Sequence, residues 1–205
     1  MTTPVTAVAF DLGGVLIDWN PRYLYRSLFL DDEPGMEWFL SNVTSRAWNE
    51  QLDLGRNWAE AVAELVALHP DRADLIRAYH ERWEEMLGGP HQDTVAILAE
   101  LRATRVPLYA LTNWSGETFD MARDRFPFLE WFAGIVVSGH ERLIKPDERI
   151  FRLLLERFSL APASTLFIDD SKANVDQARR LGMDAILFTD APELRTALAE
   201  RCLLG

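Results

Sequence analysis

Residues Thr165–Thr189 read TLFIDDSKANVDQARRLGMDAILFT, and this stretch decides the fold. Its ends, Thr165–Asp169 and Asp184–Thr189, are short and mostly apolar, as strands buried on both faces must be. Between them Lys172–Leu181 has helical spacing and stops before Gly182, a usual helix terminator. Strand, helix and strand in so short a run make a parallel crossover. Working outward, Pro107–Thr112 and Gly134–Ser138 read as further strands. The spacing predicts helices over Ser115–Arg125 and Asp147–Phe158, the latter burying Ile150, Phe151, Leu154 and Leu155.

Val5–Phe10 supplies a fifth strand, so the expected architecture is α/β, a Rossmann-like parallel five-stranded sheet flanked by helices. That first strand breaks the rhythm. The gap to the next strand far exceeds what one crossover needs. Only helical patterns are legible in it. One starts at Asn57, an N-cap with Glu60 three residues on, and buries Trp58, Val62, Leu65 and Val66. Asp71–Leu87 reads as another, closed by Gly88-Gly89-Pro90. The sequence therefore predicts a core of residues 1–17 and 89–205 with an inserted all-helical lobe over 18–88. Five of the seven tryptophans (Trp19, Trp38, Trp48, Trp58, Trp83) fall in the lobe. A small lobe needs large side chains to fill its interior, and one of the five is left as a candidate to stack on a ligand.

Composition narrows the function. The 205 residues are 48% hydrophobic and 26% charged, the balance of a globular protein with a real core. A net charge of −11 repels nucleic acid phosphates, so no nucleic acid partner is expected. Cys202 is the single cysteine and cannot close an intrachain disulfide. No apolar run approaches the roughly 20 residues of a membrane helix. The first Arg is Arg22, so the start lacks the charged region of a signal peptide. The expectation is a cytoplasmic protein with no membrane partner.

In an open parallel sheet, ligands bind beyond the carboxyl ends of the strands. The first strand ends at Asp11, in Phe10-Asp11-Leu12-Gly13-Gly14-Val15-Leu16, and the second at Thr112-Asn113. The loop after the third reaches Lys145-Pro146-Asp147, and the fourth ends at Asp169-Asp170-Ser171. Alone, an Asp after a strand is usually a turn residue or N-cap, and an acidic pair is also at home in solvent at a helix start. Together they say more. Adjacent carboxylates near a third raise one another's pKa unless a cation neutralises them, and Mg²⁺, which takes oxygen ligands, is the usual remedy. Of 21 basic residues only Lys145 and Lys172 are lysines, so a chain built on Arg has kept its compact ammonium beside these carboxylates. A carboxylate nucleophile, a metal, a lysine, a hydroxyl and helix N-terminal amides form a phosphoryl-transfer set. His69, His80, His91 and His140 show no metal-ligand spacing and read as surface or helix-packing residues.

The ordered motifs Asp11-Leu-Gly-Gly-Val-Leu, Leu111-Thr112-Asn113, Lys145-Pro146-Asp147 and Phe167-Ile168-Asp169-Asp170 with Asn174 resemble the four motifs of the haloacid dehalogenase superfamily. A helical cap inserted after the first motif is similar to that superfamily's C1 arrangement, and the sugar-phosphate phosphatase branch is the form most resembled. The resemblance implies that Asp11 is the nucleophile, forming an aspartyl-phosphate. It implies that Asp11, the carbonyl of Gly13 and Asp170 bind Mg²⁺. It implies that Thr112 and Asn113 hold the phosphoryl group and that Lys145 neutralises Asp11 and substrate. Asp169 and Asn174 are then close support, and the partner is a small phosphorylated metabolite, sugar phosphates included.

Two departures stand out. Most phosphatases of the family carry a second Asp two residues after the nucleophile, as general acid and base; here that position is Gly13. The following Thr of the common motif is Val15. General acid help is worth about 10²–10⁴-fold, so its loss bears on substrates with poor leaving groups. Two other readings follow: a metal-independent 2-haloacid dehalogenase, and a phosphometabolite-binding module with little catalysis. Trp19, Arg22 and Arg46 are the lobe residues singled out as able to touch substrate, though ordinary packing or surface roles suit each.

Overall fold

The computed structural model describes residues 4–205, so residues 1–3 of the expected core lie outside the described residues. Strand β1 is Ala7–Phe10, and a second, short strand, β2, is Ile17–Trp19. Five helices follow: α1 Arg22–Phe29, α2 Glu33–Asn42, α3 Arg46–Asp53, α4 Trp58–Leu68 and α5 Ala73–Glu81. Strand β3, Leu87–Pro90, then leads into α6, Gln92–Ala103. The alternating half comprises β4 Leu108–Thr112, α7 Gly116–Ala122, β5 Gly134–Val137, α8 Ser138–Glu141 and α9 Glu148–Arg157. It finishes with β6 Thr165–Asp169, α10 Lys172–Arg180, β7 Asp184–Leu187 and α11 Ala191–Glu200.

The main sheet has the order β5-β4-β1-β6-β7, and every pairing in it is parallel. All five strands predicted from the sequence are present, each within a few residues of its expected span. Alternation along them builds two cores. Val8, Phe10, Leu108, Leu166 and Ile168 face one side, where they meet Leu98 and Leu101 of α6 and Leu194 and Leu198 of α11. Ala9, Leu111, Val136 and Phe167 face the other, against Ile150, Phe151 and Leu154 of α9 and Val175 and Ala178 of α10. Burial on both faces explains why the strands read as unbroken apolar runs.

The segment between β1 and β4 differs from expectation in two respects. Its flanks pair as a two-stranded antiparallel ribbon, with Ile17 opposite Pro90 and Trp19 opposite Leu87. Gly88-Gly89-Pro90 is thus part of a strand, not a helix stop. Runs of three and four residues are too short to show a period, and Gly89 takes a φ of 109° that argues against regular strand. The helix expected over Asp71–Leu87 is also split: α5 is flanked by single 3₁₀ turns at Pro70–Arg72 and Trp83–Met86. The α4 start is as read, with Asn57 Oδ1 accepting the amide of Glu60 at 3.0 Å. Trp48 and Trp58 pack edge to face at 6.1 Å, and Trp48 meets Tyr79 at 5.2 Å, so these tryptophans do fill the helical interior. Among the described residues no helix is long and apolar enough to cross a membrane.

Candidate active site

Parallel pairing brings the C-terminal ends of β1, β4 and β6 side by side, and these ends carry Asp11, Thr112 and Asp169. Lys145, 4% exposed, places its ammonium among them. It reaches Asp11 Oδ1 at 2.9 Å and Asp169 Oδ2 at 2.7 Å, and donates to the carbonyl of Leu111 at 2.7 Å. All three ammonium protons therefore have acceptors. Asp169 is fully buried and saturated: besides Lys145 it accepts from the Ser171 amide at 2.8 Å and from Asn174 Nδ2 at 2.9 Å. Asp11 Oδ1 also takes the Leu12 amide at 2.7 Å, which fixes the carboxylate.

Asn113 and Lys145 are locked by a reciprocal pair. Asn113 Nδ2 donates to the Lys145 carbonyl at 3.0 Å, and the Lys145 amide donates to Asn113 Oδ1 at 2.8 Å. The Asn113 side chain thus positions the lysine loop. Thr112 is buried at the strand end beside it. Lys172, the other lysine, instead pairs with Asp176 on the exposed face of α10.

Charge at this edge is unbalanced. Asp11, Asp169 and Asp170 each offer an oxygen within 4.8 Å of the others, against one ammonium. Burial pushes the Asp11 pKa up to about 8, with Lys145 pulling down and Asp169 and Asp170 adding to the rise. Burial and then Asp169 likewise raise Asp170. Lys145 stays charged: burial works against it, but Asp11 and Asp169 outweigh that and hold its pKa above the ordinary value. Such a set suits a hard divalent cation. The turn after β1 holds Gly13 and Gly14. The Leu12 carbonyl accepts from Leu16 and Ile17, and the Gly14 amide donates to Ile17, while no donor among the described residues reaches the Gly13 carbonyl. Gly14 is required here, since its φ is 75° and a Cβ would lie 2.4 Å from Asp170 Oδ2.

Over this edge lies a slot of about 90 Å³. Gly13 and Asn113 line it from the core, and Trp19, Trp58, Trp83 and Trp114 form largely apolar walls. Trp58 Nε1 donates to Ser115 Oγ at 2.7 Å, joining the helical insert to the loop after β4. Asn49 and Asp53 bring polar groups from α3. A wider groove of about 530 Å³ shares Trp19, Asn49 and Asp53 with the slot and continues past Arg22 and Arg46. Of the residues singled out in the sequence, Trp19 faces both spaces; Arg22 is paired with Glu37 at 2.5 Å and Arg46 with Glu50 at 2.9 Å. Buried Trp19 Nε1 and Thr44 Oγ1 have no partner among the described residues, and both residues line the groove. The histidines stay outside the carboxylate cluster; His80 stacks on Trp58 at 4.6 Å and meets Glu117 at 2.7 Å.

The sheet order and the carboxylate-lysine edge define an α/β protein with an acidic site at the carboxyl ends of its parallel strands. The model of the haloacid dehalogenase-like hydrolase family matches residues 5–182, and the chain belongs to that family. Among curated relatives, it is 27% identical to the sesquiterpene phosphatase astK of Aspergillus oryzae, over 100% of both chains. It is 25% identical to a phosphorylated carbohydrates phosphatase of Thermotoga maritima, covering 88% of this chain and 83% of the other. An (S)-2-haloacid dehalogenase of Pseudomonas putida matches at 22%, over 87% and 83%. The fold is shared with a family enzyme of Bacteroides thetaiotaomicron crystallised with magnesium and inorganic phosphate, with a TM-score of 0.70, 20% identity and coverage of 93% and 98%. The protein is a hydrolase with phosphatase relatives.

Proposed function

We propose that this protein is a Mg²⁺-dependent phosphatase of small phosphomonoesters, working through an aspartyl-phosphate on Asp11. The observation that carries the reading is the buried Lys145, shared between Asp11 and Asp169 with Asp170 alongside. Asp11, the Gly13 carbonyl and Asp170 are the groups that would hold the metal. Bound there, Mg²⁺ would screen the carboxylates from an anionic substrate and polarise the phosphoryl oxygens.

The chain's own residues do the rest. Asp11 attacks phosphorus, and its orientation is set in advance by Lys145 and the Leu12 amide. Lys145 offsets charge on the nucleophile and the phosphoryl group, and Thr112 lends its hydroxyl. Asn113 contributes by holding the Lys145 loop. Asp169, held by Asn174, keeps Lys145 charged and aimed.

Residues 18–88 then serve as a cap over a core of 1–17 and 89–205, with the leaving group in the slot between them. The tryptophan walls favour an alcohol with an apolar face, as the likeness to a sesquiterpene phosphatase also suggests. Sugar phosphates belong in the same panel because of the carbohydrate phosphatase relative.

The test is phosphate release from p-nitrophenyl phosphate, prenyl phosphates and sugar phosphates, with and without Mg²⁺, beside Asp11→Asn. Mg²⁺-dependent turnover abolished by Asp11→Asn is the expected result. Turnover unaffected by a chelator, or halide release from 2-chloropropionate with no phosphate release, would overturn it.

A further inference from the structure

Gly13 stands where the family's phosphatases carry a general acid, and a Cβ built there meets nothing within 4 Å. The backbone does not exclude a side chain at that position; the space is open and lies on the slot. A different carboxyl borders the same slot. Asp53, the last residue of α3, comes from the insert and lines the space together with Gly13 and Asn113. We propose that Asp53 is the general acid of this enzyme, protonating the leaving-group oxygen from the cap side. This rests on the phosphatase reading above.

The geometry is that of a held group. Asn49 Nδ2 donates to Asp53 Oδ2 at 3.0 Å, and Asn49 is itself oriented by the Tyr79 hydroxyl, which donates to Asn49 Oδ1 at 3.0 Å. Ser138 Oγ donates to the Asp53 carbonyl at 2.6 Å. The end of α3 is thus bound to the start of α8, directly after β5. The donors are neutral, and no Lys or Arg among the described residues lies within ion-pair distance of Asp53. A carboxyl tied to an arginine would stay ionised and could not deliver a proton; this one is free of that tie. Burial raises it to about 7, with the Ser115 amide opposing and Glu50 adding to the rise, so the acid form is available near neutral pH.

The proton balance closes without another reactant. Asp11 bonds to phosphorus as the bond from phosphorus to the leaving oxygen breaks. The electron pair stays on that oxygen, which takes the Asp53 proton and departs as the alcohol. Water then attacks the aspartyl-phosphate at phosphorus and gives its proton to the Asp53 carboxylate. Phosphate leaves, and both Asp11 and Asp53 return to their starting states.

The experiment compares two esters on one enzyme preparation with Mg²⁺: 3-methylbutyl phosphate, whose alkoxide must be protonated, and 2,4-dinitrophenyl phosphate, whose phenolate needs no proton. In Asp53→Asn, the loss in kcat/KM for the alkyl ester should exceed that for the dinitrophenyl ester by about 10²-fold or more. Taking the ratio on one sample cancels any misfolded fraction. Adding Gly13→Asp to Asp53→Asn should restore the alkyl ester selectively, because the new carboxyl enters the same space. Equal losses for the two esters, or no loss for either, overturn the acid role. So does a wild-type enzyme that cleaves the dinitrophenyl ester but not the alkyl one. A wild-type enzyme inert to both esters removes the phosphatase reading itself, and the acid role with it.

Discussion

Replacing Lys145 with Met tests the centre of the site by its energetics. The ammonium contacts Asp11 at 2.9 Å and Asp169 at 2.7 Å, each gross attraction being about 6 kcal/mol at an effective dielectric of about 20. Desolvation of three buried charges cancels most of that, so the net worth of the intact cluster is small. Removing the cation alone is different, because two buried carboxylates then lose their partner. The expected loss is about 3–5 kcal/mol. At roughly 2–4 °C per kcal/mol for a chain of this size, that is a fall in Tm of roughly 6–20 °C. The measurement is urea and thermal unfolding of Lys145→Met at about pH 9, above the Asp11 value of about 8, and in EDTA, so that no cation stands in for the ammonium. Combining it with Asp169→Asn should recover part of the loss, with a coupling energy of about 1–3 kcal/mol. A Lys145→Met variant within about 1 kcal/mol of wild type, uncoupled from Asp169→Asn, would refute the reasoning.

Gly14→Ala should destabilise by more than about 1 kcal/mol, given its φ of 75° and the 2.4 Å approach to Asp170, and should weaken the rise in Tm on adding Mg²⁺. Trp83→Ala opens the slot wall where Trp83 meets Trp114 at 5.6 Å; it should cost about 3–5 kcal/mol in unfolding free energy and raise KM for an apolar phosphomonoester more than for inorganic phosphate as inhibitor. Arg201 holds the Asp184 carboxyl below its ordinary value through a 2.6 Å contact. Because the folded-state value is the lower one, the pair stabilises above the unfolded carboxylate pKa of about 3.9 and that gain disappears as pH falls through the folded value. The pair is partly exposed, so Arg201→Met should cost less than about 1 kcal/mol at neutral pH, and the difference from wild type should shrink on acidification in unfolding titrations.

The sequence by itself determined the strands, their parallel sense and the residues at their ends. Buried strands must be apolar throughout, so Val5–Phe10, Thr165–Asp169 and their like stand out locally, and a polar residue closing such a run is conspicuous. Asp11, Asp169 and the adjoining Asp170 were legible for that reason. What each does there was decided by tertiary structure. Lys145 lies 134 residues from Asp11 (145 − 11), and its contacts with Asp11 and Asp169 come from long-range packing, while Lys172 ends on an exposed helix face. Asn113 was expected beside the phosphoryl group, and folding adds the engagement of its side-chain amide at both ends by the Lys145 backbone. The ribbon of Ile17–Trp19 and Leu87–Pro90 was hidden because a strand of three or four residues has no period to read. Asp53 had no signal at all, being an ordinary acidic residue near the end of a helix. Its place beside Gly13 comes from long-range packing, and a carboxyl acquires an altered proton affinity only from the neighbours that folding gives it.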